Sequence, residues 1–323
     1  MTQTLLAAIS VALLLCCIII AEAENCEEHP SAFDYDPGAP LNVSVHATSE
    51  RGDGVSVVDL DFASPRGGRV PAYLVVPPGK GPFAAIVYGH WINPKNSPQT
   101  SNRSEFLEEA IALAPAGVVS LLTDAPSVRP GFTEDPDPFS SQDSDVLAQQ
   151  VVDMRRAVDL LESRRDVDPK RIAYVGHSVD AAVGGVLRAV EPRFRALVLM
   201  TGAFSMRLLL FSDEPRMVEF RNEYGERRVK QYLDEFDWAD PGHYVSRAGG
   251  APVLLQVAAH DEFGNEANFR RQTEIVAEPK TVEWYDAKHA LNSRARRDRC
   301  EWLRQKIGLA QLPSALEQVP PLN

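Results

Sequence analysis

The sequence predicts an α/β fold in which a mostly parallel central sheet is covered by helices on both faces. From residue 83 onward, short apolar runs alternate with helix-like segments, and each run is apolar at successive positions rather than at every second one. Strands of a parallel sheet have this property, because helices shield both of their faces. A chain of 323 residues, 44% of them hydrophobic, can support one such domain.

The first 23 residues are predicted to be a signal peptide that precedes the domain. Residues 5–21 are almost wholly apolar, and Ala21-Glu22-Ala23 has the A-x-A pattern of a cleavage site. An uncleaved anchor is the alternative, because the start lacks Lys and Arg and residues 5–21 are long enough to span a bilayer. We therefore expect an exported protein, periplasmic or secreted, or one that is anchored to the membrane.

Two cysteines, Cys26 and Cys300, would remain after cleavage behind Ala23. In an oxidising compartment they could form a disulfide between the N-terminal segment and the last helix. Two unpaired thiols are the alternative, since the sequence gives no distance between them.

Residues 24–54 are predicted to be an extended lead-in, because they are largely polar and contain several prolines. Residues 55–62 and 69–76 are rich in β-branched side chains and are joined by the turn sequence Ser-Pro-Arg-Gly-Gly at residues 64–68. This pattern predicts a β-hairpin at the edge of the sheet.

The main domain is predicted to span residues 55–308, followed by a tail at 309–323. Its buried strands are predicted at residues 83–88, 118–122, 171–175, 196–200, 252–257 and 281–285. Its helices are predicted near residues 105–113, 143–162, 181–190, 267–276 and 293–307. Ligands bind such sheets at the carboxyl ends of the strands, so catalytic residues are expected there.

A charged and aromatic insertion at residues 204–247 interrupts the alternation and is predicted to be a helical lid. Its aromatic side chains either line an acyl pocket or pack the lid onto the body, and packing is the more common role. They are Phe211, Phe220, Tyr224, Tyr232, Phe236 and Trp238.

The strongest local motif is Gly176-His177-Ser178, which follows a buried strand and precedes a helix. A nucleophile elbow requires this context, because its sharp turn lifts the serine hydroxyl clear of the sheet. The helix N-terminus also places backbone N–H groups beside that hydroxyl. Ser178 is therefore the predicted nucleophile, with a helix-capping serine as the alternative.

A serine nucleophile needs a base and a carboxylate that orients the base. His289 follows the final predicted strand, and Asp261 follows the one before it, so both belong to the edge of the sheet that carries Ser178. The chain order Ser, Asp, His is that of a known hydrolase arrangement. Glu262 is the second candidate for the carboxylate.

An oxyanion hole requires two N–H donors that point at the developing negative charge. We predict the backbone N–H of Val179, the residue after the nucleophile, and that of Trp91, in the loop after the first central strand. The alternative for Trp91 is simple packing over the strand end.

Composition excludes several other classes of function. The formal net charge of −12 disfavours nucleic acid and anionic membrane surfaces as partners. The acidic stretch at residues 134–145 lacks the central Gly and terminal Glu of a calcium loop, and no His or Cys cluster has zinc spacing. We expect a small-molecule substrate and neither a metal nor a cofactor; the oligomeric state is left open.

These motifs resemble those of the α/β-hydrolase superfamily, and within it the dienelactone-hydrolase-like and acyl-peptidase-like serine esterases. The resemblance covers roughly residues 55–308 and rests on Gly176-His-Ser-Val, on residues 256–261 and on residues 284–292. It implies a Ser-Asp-His triad that works through an acyl-enzyme without a cofactor. Dienelactone hydrolases proper use a cysteine nucleophile, so Ser178 argues against that specific activity.

Asp180 departs from the usual elbow, which has Gly two residues after the nucleophile. A charge ~7 Å from the oxyanion would cost ~2 kcal/mol at an effective dielectric near 20, so we expect a slow enzyme that Asp180→Gly would accelerate. The favoured function is cleavage of carboxylic esters. A serine peptidase and a catalytically impaired binding protein are the alternatives.

Overall fold

A computed structural model describes residues 30–90, 101–247 and 249–322. Within these ranges one nine-stranded sheet crosses the molecule. The predicted signal peptide, Cys26 and Trp91 lie outside the described residues, so the predictions on them stay predictions.

Three antiparallel strands form one end of the sheet: β1 (Ser44–Glu50), β2 (Ser56–Ala63) and β3 (Arg69–Val76). The strands β2 and β3 form the predicted hairpin, but its predicted place at the edge of the sheet is wrong, because β1 pairs with β2 and lies outside it. Strand β1 was not predicted as a strand, since its residues were included in the extended lead-in. All seven of its residues are exposed, so neither face of this edge strand is buried in the core, and its sequence contains no continuous apolar run.

The remaining strands are β4 (Phe83–Gly89), β5 (Val118–Thr123), β6 (Val167–His177), β7 (Phe194–Met200), β8 (Val253–Ala258) and β9 (Lys280–Tyr285). The nine strands lie in the sheet in the order β1-β2-β3-β5-β4-β6-β7-β8-β9. From β5 to β9 in this order, neighbouring strands run parallel, whereas β3 pairs with β5 antiparallel. Every residue of β5 and β8 is buried, as continuous apolar runs require. The predicted mostly parallel sheet is confirmed.

Helices cover both faces of the sheet and bury its side chains. On one face α2 (Gln142–Glu162) and α3 (Val179–Val190) pack on a core that includes Val87 and Leu197. On the other, α1 (Leu107–Leu113) and α9 (Ser293–Ile307) pack on one that includes Ile86 and Val198. Consecutive residues of one strand therefore face different cores, as period-2 side-chain direction dictates.

The lid lies between β7 and β8 and contains four described helices: α4 (Met206–Leu210), α5 (Pro215–Tyr224), α6 (Glu226–Phe236) and α7 (Pro241–Val245). Leu210, Val229 and Leu233 form a small apolar cluster there, against which Phe139 and Leu147 of the body pack. After β8, α8 (Glu266–Glu274) precedes β9. The lid therefore has its own apolar contacts with the body.

Candidate active site

Ser178 sits in a sharp turn between the end of β6 and the start of α3. Its backbone has φ 58° and ψ −114°, and its N–H donates to the carbonyl of Met200 at 2.8 Å. A non-glycine residue at this φ is strained by about 1–3 kcal/mol, and such strain is concentrated at functional sites. The turn has the geometry expected of a nucleophile elbow.

Two glycines make the turn possible and explain how Asp180 fits into it. A Cβ on Gly176 would lie 2.3 Å from the carbonyl oxygen of Asp180, so the chain comes too close for any side chain there. A Cβ on Gly89 would lie 2.7 Å from the Cβ of Asp180. Gly89, at the end of β4, therefore leaves the space that the side chain of Asp180 occupies.

The carboxylate of Asp180 is buried and accepts two hydrogen bonds. The backbone N–H of His90 donates to it at 2.7 Å, and the side-chain amide of Gln150 donates at 2.9 Å. Burial raises the pKa of Asp180 to about 7, although these two hydrogen bonds act to lower it. The sequence suggested a fixed charge that inhibits the reaction, whereas the structure shows a tethered carboxyl group that links the elbow to the end of β4.

His289 and Asp261, the predicted base and carboxylate, are in direct contact. The Nδ1 of His289 lies 2.8 Å from Oδ2 of Asp261; the side chain of Asp261 is fully buried and that of His289 is 6% exposed. The ring of Phe263 packs edge-on against the imidazole with 4.6 Å between centroids. Each residue follows the carboxyl end of its strand, β8 for Asp261 and β9 for His289.

Glu262, the second candidate for the carboxylate, contacts the backbone rather than the imidazole. Its Oε2 accepts the backbone N–H of His289 at 3.1 Å. Partial burial alone would raise its pKa, but this hydrogen bond and the nearby charge of Lys288 bring the pKa of Glu262 below its usual value. The geometry therefore favours Asp261 as the partner of the imidazole.

A second histidine and carboxylate lie behind His289 and were not predicted as site residues. The Nδ1 of His177 is 2.5 Å from Oε1 of Glu105, and its Nε2 is 3.0 Å from the carbonyl oxygen of His289. Glu105 lies in the turn before α1, whereas the sequence predicted it to be the first residue of that helix. No signal in the sequence pairs these residues, because 72 positions separate them.

His90 follows β4 and lies beside this pair. Its ring is fully buried, and its Nδ1 is 3.8 Å from Oε2 of Glu105. Burial, aided by the charge of His177, lowers the pKa of His90 to about 3. His90 is therefore neutral at physiological pH.

Of the two predicted oxyanion donors, the structure describes Val179. It is the first residue of α3, where backbone N–H groups have no partner within the helix. The residue is 49% exposed, beside the partly exposed Ser178. Val179 therefore remains a candidate donor, and Trp91 remains a prediction.

A cavity of about 1070 Å³, which we call the Ser178 cavity, is lined by both Ser178 and His289. Lid residues Met206 and Leu209 form part of its wall together with the aromatic Tyr232 and Phe236. Phe220 and Tyr224 instead pack against Phe139. The lid aromatics thus divide between the two roles that the sequence left open.

The predicted tail contributes to the same cavity. Residues 319–322 lie along its wall, and the buried guanidinium of Arg296, on α9, donates to the backbone carbonyls of Leu316 and Val319. The sequence did not predict this role, because the segment carries no periodic pattern. Pro320 and Pro321 are its only unusual feature, and they indicate a stiff extended backbone.

Within residues 30–90, 101–247 and 249–322, no group of three or more His, Cys, Asp or Glu side chains is placed to hold a metal ion. Cys300 is a fully buried thiol next to Glu109, and burial raises its pKa. No helix in the described ranges combines the length and apolarity needed to cross a membrane.

Known structures are similar to this chain at low sequence identity. An acetyl xylan esterase from Paenibacillus sp. R4 is 20% identical, with a TM-score of 0.65 over 83% of this chain and 90% of that one. Acetyl xylan esterase 1 from Thermoanaerobacterium sp. JW/SL YS485 is 17% identical, with a TM-score of 0.65 over 85% and 91%. A Pyrococcus furiosus esterase is 13% identical, with a TM-score of 0.57 over 84% and 100%.

No protein-family model matches the chain, and no curated protein sequence matches it. The likeness to solved structures is therefore a likeness of fold. Together with the sheet order and the elbow, it shows that the chain has the α/β-hydrolase fold.

Proposed function

We propose that the protein is a serine hydrolase that cleaves carboxylic esters through an acyl-enzyme. The observation that carries the proposal is the buried contact of 2.8 Å between His289 and Asp261, at the cavity that Ser178 also lines. A histidine held by a carboxylate, at the same cavity as a serine on a strained turn, fits the arrangement that activates a hydroxyl.

In the proposed reaction the Oγ of Ser178 attacks the carbonyl carbon of the ester. Nε2 of His289 takes the hydroxyl proton and returns it to the leaving alcohol, while Asp261 stabilises the imidazolium through Nδ1–H. Water then enters, loses a proton to His289 and attacks the acyl-enzyme. The carboxylic acid leaves and the hydroxyl of Ser178 is restored.

The negative charge that develops on the carbonyl oxygen needs preorganised donors. In this proposal the backbone N–H groups of Val179 and Trp91 supply them. Val179 suits this role because it opens a helix of twelve residues, whose N-terminus carries partial positive charge.

The structural neighbours support an ester as the substrate. Two are named acetyl xylan esterases and a third an esterase, so the fold of this chain is associated with ester cleavage in other proteins. Fold alone does not determine function, so this support adds to the site geometry and does not replace it. A neutral ester with a small or medium acyl group is the proposed substrate.

The proposal is tested by comparing p-nitrophenyl acetate with aminoacyl p-nitroanilides. We expect turnover of the ester, little of the anilide, and a loss of roughly 10⁴-fold or more in kcat for Ser178→Ala. Faster turnover of the anilide would indicate a peptidase. A folded protein that cleaves neither class would indicate the catalytically impaired alternative.

We also propose that the protein is exported, on the basis of residues 1–23 alone. N-terminal sequencing of protein recovered from the periplasm or medium is expected to begin at Glu24. A membrane-bound product that begins at the initiator methionine would instead support the anchor.

A further inference from the structure

We propose that Glu105 and His177 are positioning residues that hold the main chain of the general base, His289. The inference rests on the proposed function, because it assigns a role within the same site. Neither residue reacts with substrate in this proposal. They fix the loop that carries His289, and thereby fix its imidazole relative to Ser178 and Asp261.

The contact between His177 and His289 has only one possible direction. A carbonyl oxygen can only accept, so the Nε2 of His177, 3.0 Å from the carbonyl of His289, must carry a proton and donate it. The hydroxyl of Thr201 donates to the same carbonyl at 3.4 Å. The carbonyl of the base is thus held from the ends of two adjacent strands, β6 and β7.

Glu105 orients the donor. Its Oε1 lies 2.5 Å from Nδ1 of His177, and the two side chains are 6% and 0% exposed, so water does not compete for this contact. Because Nε2 already bears a proton, one further proton lies between Nδ1 and the carboxylate. The ring of His177 therefore has a hydrogen-bond partner on each nitrogen and a single allowed orientation.

The surroundings support a rigid arrangement. The rings of His177 and His289 lie 5.0 Å apart between centroids, and Phe106 packs edge-on against His177 at 6.4 Å. The other oxygen of Glu105 faces the buried and neutral His90 at 3.8 Å. Packing and hydrogen bonds thus act together on the same ring.

The position of His177 in the chain gives the contact its significance. His177 immediately precedes Ser178, so the residue next to the nucleophile also donates a hydrogen bond to the backbone of the general base. On the other side of His289, Glu262 accepts its backbone N–H at 3.1 Å. The main chain at His289 is therefore hydrogen-bonded at both its carbonyl and its N–H. These contacts fix the loop that carries His289 relative to the nucleophile elbow.

Kinetics of His177 variants in the full chain test the proposal. Leu removes the donor, whereas Gln can place an N–H near the position of Nε2. We expect kcat to fall roughly 10- to 100-fold in His177→Leu with KM nearly unchanged, because a small displacement of a catalytic group costs about this much. His177→Gln should recover most of the loss, and Glu105→Ala should resemble His177→Leu.

Glu191→Gln provides the matched control. Glu191 is also a buried carboxylate in an ion pair, with Arg155 and Arg193, but it follows the last turn of α3 at the opposite edge of the sheet. It controls for the loss of a buried charge, and its kcat and KM should match those of the unaltered protein. Unchanged kcat in folded His177→Leu, or no recovery in His177→Gln, would overturn the proposal.

A second readout does not depend on turnover. In protein labelled with ¹⁵N-histidine, the proton on Nδ1 of His289 reports its hydrogen bond to Asp261. We expect this resonance to broaden or vanish in His177→Leu and to persist in His177→Gln; an unaltered resonance in His177→Leu would contradict positioning. If the unaltered protein cleaves no ester, the proposed function fails, and this spectrum still decides whether the pair holds His289.

Discussion

At the scale of single residues, Asp180 shows how one substitution in a motif is accommodated. The turn has no room for a side chain directed inward, but Gly89 on the adjacent strand leaves space for it. The carboxyl group accepts the N–H of His90, the residue that precedes Trp91 in the sequence. Replacing Asp180 with Gly would therefore remove a contact at the end of β4. We now expect this variant to be slower, whereas the sequence alone predicted a faster one.

The buried Asp180 predicts a specific pH dependence of stability. Burial raises its pKa from about 3.8 to about 7, so between these values the native state holds a proton that the unfolded chain has lost. This group therefore lowers the free energy of unfolding as pH rises, by up to about 1.4 kcal/mol per pH unit. Asn cannot titrate, so Asp180→Asn should gain stability relative to the unaltered protein across that range.

Urea unfolding at a series of pH values between about 4 and 8 measures this difference. Replacement of the exposed Asp53 by Asn is the control for the loss of a carboxylate outside the core. Parallel curves for Asp180→Asn and the unaltered protein would contradict the raised pKa.

The two neighbouring carboxylates, Asp261 and Glu262, make separable predictions. Asp261→Asn should lower kcat by roughly 10⁴-fold, because an amide favours the wrong tautomer of His289. Glu262→Gln keeps an oxygen that can accept the backbone N–H of His289, so its kcat should change only slightly. Steady-state kinetics with p-nitrophenyl acetate distinguishes them, and equal losses in the two variants would contradict the assignment.

At the scale of elements, the C-terminal segment is part of the Ser178 cavity. Its cavity-lining residues, 319–322, follow a short 3₁₀ helix at Ser314–Gln318, and the buried Arg296 holds the backbone at Leu316 and Val319. Leu322 also packs against the apolar core beneath α1 and α9, so the segment contributes both to the cavity wall and to the core.

A chain that ends at Gln318 should bind substrate less well without losing its chemistry. We expect KM for p-nitrophenyl butyrate to rise roughly tenfold, since lost apolar contacts in a pocket cost about 1–3 kcal/mol, while kcat changes little. Arg296→Met should shift KM in the same direction, because it releases the segment. An unchanged KM in both variants would show that residues 319–322 contribute nothing to binding.

The elements that were predicted correctly are those with a local pattern. Strands β4 to β8 each contain a continuous apolar run, although β6 begins at Val167 and not at the predicted residue 171. Helix α9 was predicted at its observed bounds because its apolar residues repeat at helical spacing. Strand β1 and the C-terminal segment lack any such pattern. Contacts between distant residues, such as that of His177 with Glu105 or of Gly89 with Asp180, leave no trace in periodicity, so only the folded chain reveals them.

The residues of the candidate site that could be predicted are likewise those with a local pattern in the sequence. Asp261 and His289 could be paired from the sequence, because each follows a predicted strand and parallel strands end at one edge. The structure places them 2.8 Å apart. The catalytic roles of Asp261, His289 and Ser178 are part of the proposed function.

For the molecule as a whole, the net charge is negative, and the charged side chains that line the Ser178 cavity are acidic as well. The formal net charge is −12. Among the described residues that line the cavity there is no Lys or Arg, whereas the acidic ones are Glu105, Glu108, Glu134, Asp143 and Asp180. A negative potential repels anionic ligands and leaves neutral ones unaffected, so it lowers the local concentration of anionic ligands relative to neutral ones.

The protein should therefore discriminate against anionic esters. We expect kcat/KM for a butyrate ester to exceed that of the hemisuccinate of the same alcohol, which is similar in size, by roughly tenfold or more at low salt. The ratio should fall as NaCl is added, since salt screens the repulsion. Equal rates at low salt, or a ratio that ignores salt, would contradict this prediction.

Covalent labelling tests the claim that Ser178 is an activated nucleophile. The purified protein is treated with a fluorophosphonate, and the modified peptide is identified by mass spectrometry, with Ser178→Ala as the control. We predict a single modification at Ser178 that is absent from the control and strongly reduced in His289→Ala. A folded protein that is not labelled, or one labelled at another serine, would contradict the claim.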